Sequence, residues 1–143
     1  MSTRGTSVPD MPHKELTEKI IGCAYRVHGA LGFGFLESVY QKALLIELQK
    51  AGMCASSQQP ITVCYDAQIV GEFVADIVVE DIVIVELKSV RQLAPAHEAQ
   101  LVNYLVATGK PVGLLLNFGE NGVEVKRKVR TLPPAGSAIR KPT

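Results

Sequence analysis

The chain has 143 residues, of which 47% are hydrophobic, and a formal net charge of +1 at pH 7. This length predicts one domain with one core, and no apolar run approaches the roughly 20 residues of a transmembrane helix. Residues 1–13 lack the apolar segment of a secretory signal, so we expect a cytoplasmic protein. The three cysteines, Cys23, Cys54 and Cys64, are odd in number and widely spaced, which favours reduced, mostly buried thiols over a disulfide framework or a zinc site.

The two ends of the chain differ in composition from the middle. Residues 1–13 and 131–143 mix Ser, Thr, Gly and Pro without periodicity, which predicts flexible tails around one folded domain at 14–130. Without these tails, 12 basic and 13 acidic residues remain. A domain with a slightly negative net charge is not typical of proteins that bind DNA tightly through bulk electrostatic attraction.

Two helices are predicted at the start of the domain. The first covers about residues 15–29, where apolar residues recur at helical spacing. After a loop with the sequence ALGFGF, the second helix runs from about residue 35 to residue 51. It ends before Gly52, because glycine is the residue expected just past the C-terminus of a helix.

The period of the apolar residues then changes from about 3.6 to 2, which predicts strands. PITVCY, QIVGEFVADIVV and IVIVELKS form a three-stranded meander with turns at Asp66-Ala67 and Glu80-Asp81. A third helix is predicted at about 95–108, and the strands VGLLLNF and VEVKRKVR follow, joined by an Asn121-Gly122 hairpin signal. The predicted order α, α, β, β, β, α, β, β describes an α/β protein of the mixed α+β type.

Three charged residues interrupt these apolar strands. Glu86 and Lys88 are two residues apart, so their side chains leave the same face of one strand. A turn near Glu80-Asp81 pairs residues whose numbers sum to about 161, which brings Asp76 opposite residue 85 and close to Glu86. Because neighbouring buried carboxylates cannot both ionise cheaply, a divalent cation is expected between them. Ligands that are all oxygen favour Mg²⁺ or Mn²⁺ over Zn²⁺.

The same arrangement is typical of phosphodiester hydrolysis. A bound metal ion lowers the pKa of water and neutralises charge on a phosphate oxygen, and Lys88 would orient the water or stabilise the transition state. Taken alone, a Glu-x-Lys pair on a strand is more often a simple ion pair. Catalysis is favoured here because all three charged groups lie inside strands that are otherwise aliphatic, where surface ion pairs are rare.

Two motifs of the chain carry a family resemblance. The segment Gly34-Phe35-Leu36-Glu37-Ser38-Val39-Tyr40 resembles the pattern that names the GxxExxY proteins, and Asp76 with Glu86-Leu87-Lys88 resembles the motif of the PD-(D/E)XK nuclease superfamily. The resemblance covers about residues 16–130 and includes the phrases HGALG, HEAQLVNYL and VGLLLNFG. Two positions depart from the pattern, since Phe33 stands where Pro is common and Val74 where Arg often stands. Loss of that Arg would weaken phosphate binding.

The resemblance implies a nuclease-like core of order αβββαβ, with a mixed central sheet flanked by helices, an extra N-terminal helix and a C-terminal strand. It also implies that Glu37, Asp76 and Glu86 are metal ligands and that Lys88 is the catalytic lysine. Glu37 and Tyr40 are three residues apart on a helix, so both would look into the pocket. The alternative for Glu37 is an ordinary solvated charge.

Several further polar residues have two interpretations. Gln100 and Tyr104 resemble a Gln-x-x-x-Tyr feature of some nucleases in the superfamily, in which Gln100 would bind water or phosphate; an exposed glutamine and a half-buried tyrosine are the alternative. Structural hydrogen bonding is favoured over catalysis for His28 and His97. The last strand has a basic face that either contacts a nucleic-acid backbone or, as we favour, protects the sheet edge from aggregation; its residues are Lys126, Lys128 and Arg130.

Two functions are consistent with this sequence. The first is a Mg²⁺-dependent or Mn²⁺-dependent nuclease in which water held near the charged cluster attacks a phosphodiester of nucleic acid, with DNA favoured over RNA. The second is a non-catalytic binding or regulatory module that keeps the nuclease fold. The nearly neutral charge of the domain and its small size favour this alternative. A homo-oligomer would suit such a small module.

Overall fold

The structure is a computed structural model that describes residues 11–130, and most of the two predicted tails lies outside them. Three helices and five strands follow one another in the predicted order, which confirms the mixed α+β fold. None of these helices is both long and apolar enough to span a bilayer. In chain order the elements are α1 (Lys14–Leu31), α2 (Glu37–Lys50), β1 (Ala55–Tyr65), β2 (Gln68–Val79), β3 (Val83–Lys88), α3 (Pro95–Thr108), β4 (Val112–Gly119) and β5 (Gly122–Val129).

The five strands form one sheet in the order β1-β2-β3-β4-β5. Every neighbouring pair is antiparallel except β3 and β4, which are parallel because α3 carries the chain back across the sheet between them. All eight residues of β4 are buried, as expected for a central strand with helices over both faces.

Helices cover the two faces of the sheet and divide the core into two clusters. Alternation along β3 sends Val85 and Leu87 into the cluster under α1 and α2, and sends Ile84 into the cluster under α3. Helix α3 approaches β4 so closely that a Cβ atom at Gly113 would lie 2.7 Å from Cδ1 of Leu101, so a larger residue there would force the Leu101 side chain to move. Glu86 therefore leaves β3 on the same face as Ile84, toward α3.

Several predicted boundaries were wrong, and the differences at β1 and at the last hairpin have a clear physical reason. Strand β1 begins at Ala55 instead of Pro60, because it is an edge strand, where the missing N–H of a proline need not leave a partner unpaired. In the last hairpin, Glu120 and Asn121 form the turn, while Gly122 pairs with Gly119 as the first residue of β5. The φ of Gly122 is 148°, a backbone conformation that favours glycine, so the glycine of the Asn-Gly signal marks the start of the strand.

The three cysteines are free thiols, as predicted. Only Cys23 is buried, whereas Cys54 is exposed and Cys64 is partly exposed, so the expectation that most of them are buried was wrong. The two exposed positions lie on or beside the edge strand β1, whose outer side has no neighbouring strand to cover it.

Candidate active site

The strands that carry the acidic residues separate at the site. The ladder between β2 and β3 has three pairs and ends where Ile77 lies opposite Val85. The next two positions are Asp76 and Glu86, so Asp76 lies opposite residue 86. The turn geometry had predicted residue 85 as its partner. Beyond this point β2 stays paired with β1, and β3 stays paired with β4. Asp76 and Glu86 thus occupy the opening of a fork in the sheet.

Side-chain carboxylates replace the ladder hydrogen bonds that are lost at the fork. The backbone N–H of Asp76 donates to Oε2 of Glu86 at 2.9 Å, and the backbone N–H of Leu87 donates to Oδ2 of Asp76 at 2.8 Å. Each carboxylate is therefore bound to the strand that carries the other one. This reciprocal pair of hydrogen bonds fixes the two acids relative to each other and leaves Oδ1 of Asp76 and Oε1 of Glu86 without a hydrogen bond to any other described residue.

Burial makes this carboxylate pair hard to ionise. Only 7% of Glu86 is exposed, and burial together with the neighbouring charge of Asp76 raises the pKa of Glu86 to about 8. Burial also raises the pKa of Asp76, and the charge of Glu37 adds to that increase. Without a metal ion, a pair that keeps one proton is therefore favoured over a pair in which both carboxylates are ionised. A cation between the two carboxylates would take the place of that proton.

Glu37 and Lys88 lie near enough to influence both carboxylates. The negative charge of Glu37 raises the pKa values of Asp76 and Glu86, and the positive charge of Lys88 lowers them. Glu37 is the exposed first residue of α2, and Lys88 is the half-buried last residue of β3. No ion pair between residues 11 and 130 involves either side chain. The structure thus brings the four predicted charged residues into one electrostatic neighbourhood.

A complete three-ligand metal site is not formed by the described residues. Between residues 11 and 130, no cluster of three or more His, Cys, Asp or Glu side chains is positioned to hold a metal ion. The donors that do lie together are the carboxylates of Asp76 and Glu86. This pair fits Mg²⁺, since magnesium is usually bound through one or two carboxylates and completes its shell with waters and substrate phosphates. Direct ligation by Glu37 stays a prediction.

The hydroxyl group of Tyr40 is bound to the loop that precedes α2. It donates to the carbonyl oxygen of Gly32 and accepts from the backbone N–H of Phe35 at 3.3 Å. The ring is fully buried and stacks on Phe118 with the ring centroids 4.6 Å apart. These contacts give Tyr40 a positioning role, because it holds the loop that leads to Glu37 and its hydroxyl group is already satisfied there.

Tyr40→Phe is expected to lower the free energy of unfolding by about 1–2 kcal/mol, since two hydrogen bonds to the loop backbone are lost. Urea unfolding measures this change. Tyr25→Phe is the matched control, because the side chain of Tyr25 is exposed on α1, and it should change the stability by less than about 0.5 kcal/mol. Equal effects from the two substitutions would contradict the positioning role.

Of the two polar residues predicted on α3, Tyr104 lies at the site. Burial raises the pKa of its hydroxyl group, and the charges of Glu86 and Asp76 raise it further. Its ring packs against Phe73 with the centroids 5.7 Å apart. Gln100, one helical turn earlier, is exposed and makes no hydrogen bond to another residue in the described part of the chain. Its contact with water or phosphate stays a prediction.

Asn117 is a site residue that sequence reasoning missed. Its Oδ1 accepts from the backbone N–H of Val90 at 2.9 Å, and its Nδ2 donates to the carbonyl oxygen of Val90 at 2.8 Å. Asn117 pairs with Lys88 in the sheet register, so it fixes the chain just after the lysine. The available signal was a lone polar residue within the apolar strand VGLLLNF.

Both histidines make hydrogen bonds with the backbone, as predicted. Nε2 of His28 lies 2.7 Å from the carbonyl oxygen of Gly119, and Nδ1 of His97 accepts from the backbone N–H of Ala94 at 3.0 Å at the start of α3.

On the basic face of β5, Lys128 forms an ion pair with Glu98 at 2.6 Å. This pairing reduces the charge that the face offers to a phosphate backbone.

Comparisons with known proteins identify the class to which this fold and site belong. The sequence profile described as the PD-(D/E)XK nuclease superfamily matches residues 14–130. The chain belongs to this superfamily. The narrower resemblance to the GxxExxY proteins stays a prediction. No curated protein sequence matches the chain significantly.

Two solved structures are similar to this one at low sequence identity. The crystal structure of SSO0001 has a TM-score of 0.55 and 18% identity, and the match covers 86% of this chain and 62% of that protein. The crystal structure of an alkaline exonuclease from Laribacter hongkongensis has a TM-score of 0.50 and 12% identity, with 87% of this chain and 73% of that protein covered. This chain therefore spans only 62% of the length of SSO0001. At such identities the similarity shows the fold alone.

Proposed function

We propose that this protein is a metal-dependent nuclease that hydrolyses phosphodiester bonds of nucleic acid, with Mg²⁺ or Mn²⁺ as cofactor. The observation that carries the proposal is the fixed pair of buried carboxylates, Asp76 and Glu86, beside Lys88. A purely structural cluster would be expected to pair the lysine with a carboxylate. In the described chain the lysine makes no such pair, and the pKa of Glu86 is raised to about 8.

Four residues of the chain would take part in the reaction. The free oxygens of Asp76 and Glu86 would hold the metal ion, which supplies a Lewis acid and a lowered pKa for the attacking water when it is bound. Lys88 would donate a hydrogen bond to a non-bridging phosphate oxygen and stabilise the charge that develops there. Glu37, exposed at the start of α2, would accept a hydrogen bond from the attacking water and orient it.

Membership of a nuclease superfamily supports nucleic acid as the substrate, and the solved alkaline exonuclease with a similar fold is consistent with it. DNA is favoured over RNA. The active form would lie in the cytoplasm, and a homo-oligomer is proposed as the assembly of such a small chain.

A cleavage assay tests the proposal. Purified protein is incubated with single-stranded, duplex and branched DNA and with RNA, in Mg²⁺, in Mn²⁺ and in a chelator. The account predicts cleavage that needs the metal and disappears in Asp76→Asn, purified in parallel to exclude a contaminating nuclease. Absence of cleavage on every substrate, with no metal binding by calorimetry, would overturn it.

A non-catalytic module with the nuclease fold is the second candidate. It is favoured by the missing third metal ligand in the described residues and by the exposure of Glu37. In that case the protein would bind a partner without turnover, and Asp76→Asn would leave binding unchanged. The same assay, combined with a binding measurement on both proteins, separates the two candidates.

A further inference from the structure

We infer that Phe35 and Phe73 stack on the bases of a single-stranded nucleic acid, so that the site takes single strands or frayed ends in preference to intact duplex. This inference rests on the proposed function, because it specifies the substrate class of the same site.

The two rings lie on segments that lead to the fork, one on each face of the sheet. Phe35 lies in the loop before α2, two residues before Glu37, and its carbonyl oxygen accepts a hydrogen bond from Oγ of Ser89, the residue after Lys88, at 3.0 Å. Phe73 lies on β2, three residues before Asp76, and packs against Tyr104 of α3. Both rings are thus tied to segments that carry site residues.

Both rings are anchored and yet remain open to solvent. The edge-on contact of Phe35 with buried Tyr40 has a centroid distance of 6.2 Å, and Phe73 lies 5.7 Å from Tyr104. Even so, 47% of Phe35 and 44% of Phe73 are exposed. Large exposed apolar groups that are held in place beside a candidate active site are typical of binding surfaces. Because the rings are already restrained, little conformational entropy is lost when a ligand packs on them.

The charge around the site favours base stacking over a phosphate clamp. The domain between the predicted tails has 12 basic and 13 acidic residues, and three of the acids lie at the fork. Attraction to the phosphate backbone is therefore weak, so another interaction has to contribute to affinity. Stacking on aromatic rings supplies it for single strands, whereas the bases of a duplex are already stacked on their neighbours.

A single-tryptophan experiment tests stacking at each ring. The chain contains no tryptophan, so Phe35→Trp and Phe73→Trp each introduce one fluorophore. Both are made in a Lys88→Met background, which is expected to slow cleavage, and are titrated with a single-stranded oligonucleotide and with the matching duplex in Mg²⁺. The inference predicts that only the single strand quenches the tryptophan emission. Tyr65→Trp at the exposed tip of the β1–β2 hairpin is the control and should not be quenched.

Affinity measurements supply the second arm. Phe35→Leu and Phe73→Leu keep an apolar side chain without an aromatic face, and each is expected to weaken the Kd for a single strand by about 5-fold or more, measured by fluorescence anisotropy. The tryptophan variants should retain the affinity, and Ile69→Ala, an exposed apolar position near the hairpin tip, should leave it unchanged. A Kd that stays the same in both leucine variants would overturn the inference.

Two outcomes separate this inference from the proposed function. Stacking-dependent binding without cleavage by the wild-type protein would overturn the nuclease proposal and leave the inference standing. Cleavage by the wild-type protein, together with a Kd that depends on neither ring, would overturn the inference and leave the nuclease proposal standing. Loss of a dimer in the leucine variants during sedimentation, with no change in affinity for the single strand, would show that the rings bind a second copy of the chain and would overturn the inference.

Discussion

Lys88→Met is expected to slow metal-dependent phosphodiester cleavage by about 10²- to 10³-fold, which is the typical effect of removing one preorganised donor that stabilises transition-state charge. The methionine keeps most of the length and apolar character of the side chain. Since Lys88 makes no ion pair among residues 11–130, the substitution breaks no such contact, and the melting temperature should hardly change. Initial rates on a single-stranded substrate in Mg²⁺, together with thermal unfolding, provide the measurement.

Lys50→Met is the matched control for this variant. Lys50 ends α2 at the opposite end of the helix from Glu37, and its one ion pair within residues 11–130 is with Glu47 at 3.3 Å, so its loss should leave the rate within about twofold. Lys88→Arg separates charge from shape, because a guanidinium group retains the charge but not the compact geometry of the ammonium group. A Lys88→Met protein that cleaves as fast as Lys50→Met would contradict the catalytic assignment.

Glu86→Gln is expected to change activity and metal-free stability in opposite directions. The glutamine can still accept the hydrogen bond from the N–H of Asp76, but it removes a charge from a buried position. Cleavage should fall by about 10²-fold or more, because a metal ion contributes several kcal/mol of charge stabilisation and one of its two proposed ligands is weakened. In a chelator at pH 8, however, the variant should be more stable than the wild-type protein.

The sign of this stability effect follows from the pKa of Glu86. The pKa is about 8 in the folded protein and near 4.5 in an unfolded chain. Between these values the unfolded state loses a proton that the folded state keeps, so the stability of the metal-free wild-type protein falls as the pH rises from about 4.5 to about 8. The slope from this group is at most about 1.4 kcal/mol per pH unit. Below pH 4.5 Glu86 is protonated in both states, so it no longer makes the stability depend on pH.

Urea unfolding of wild-type and Glu86→Gln proteins at several pH values in a chelator gives the difference in slope. Glu18→Gln, at an exposed position on α1, is the control and should run parallel to the wild-type curve. Added Mg²⁺ should stabilise the wild-type protein at pH 8 and should have little effect on Glu86→Gln. Parallel curves for Glu86→Gln and the wild-type protein would show that Glu86 is not held in its protonated form.

The fold was predictable where local signals agree with tertiary structure. Strand β2 and helix α3 have the predicted bounds, because β2 lies between two short turns and the helix is bounded by Pro95 and Gly109. The start of β1 could not be predicted from Pro60, because a proline indicates a strand boundary unless the strand is known to lie at a sheet edge. The start of α2 at Glu37 depends on the extended backbone of Leu36, which apolar periodicity does not reveal.

The proximity of Asp76 and Glu86 was predictable, but their contacts were not. Strand periodicity and one turn were sufficient to place Asp76 beside Glu86 and to put Lys88 on the same face as Glu86. The fork in the sheet and the crossed hydrogen bonds depend on where two neighbouring strands stop pairing, which is a tertiary property. The hydrogen bonds of the Tyr40 hydroxyl group with the loop could not be predicted for the same reason.

Anomalous diffraction from a crystal soaked in Mn²⁺ tests most directly whether the two fork carboxylates form a cation site. The account predicts a manganese peak about 2.1 Å from the free oxygens of Asp76 and Glu86, the distance usual for a magnesium-type site. A fully soaked crystal with manganese bound only elsewhere, and with both carboxylates still hydrogen-bonded across an empty fork, would contradict it.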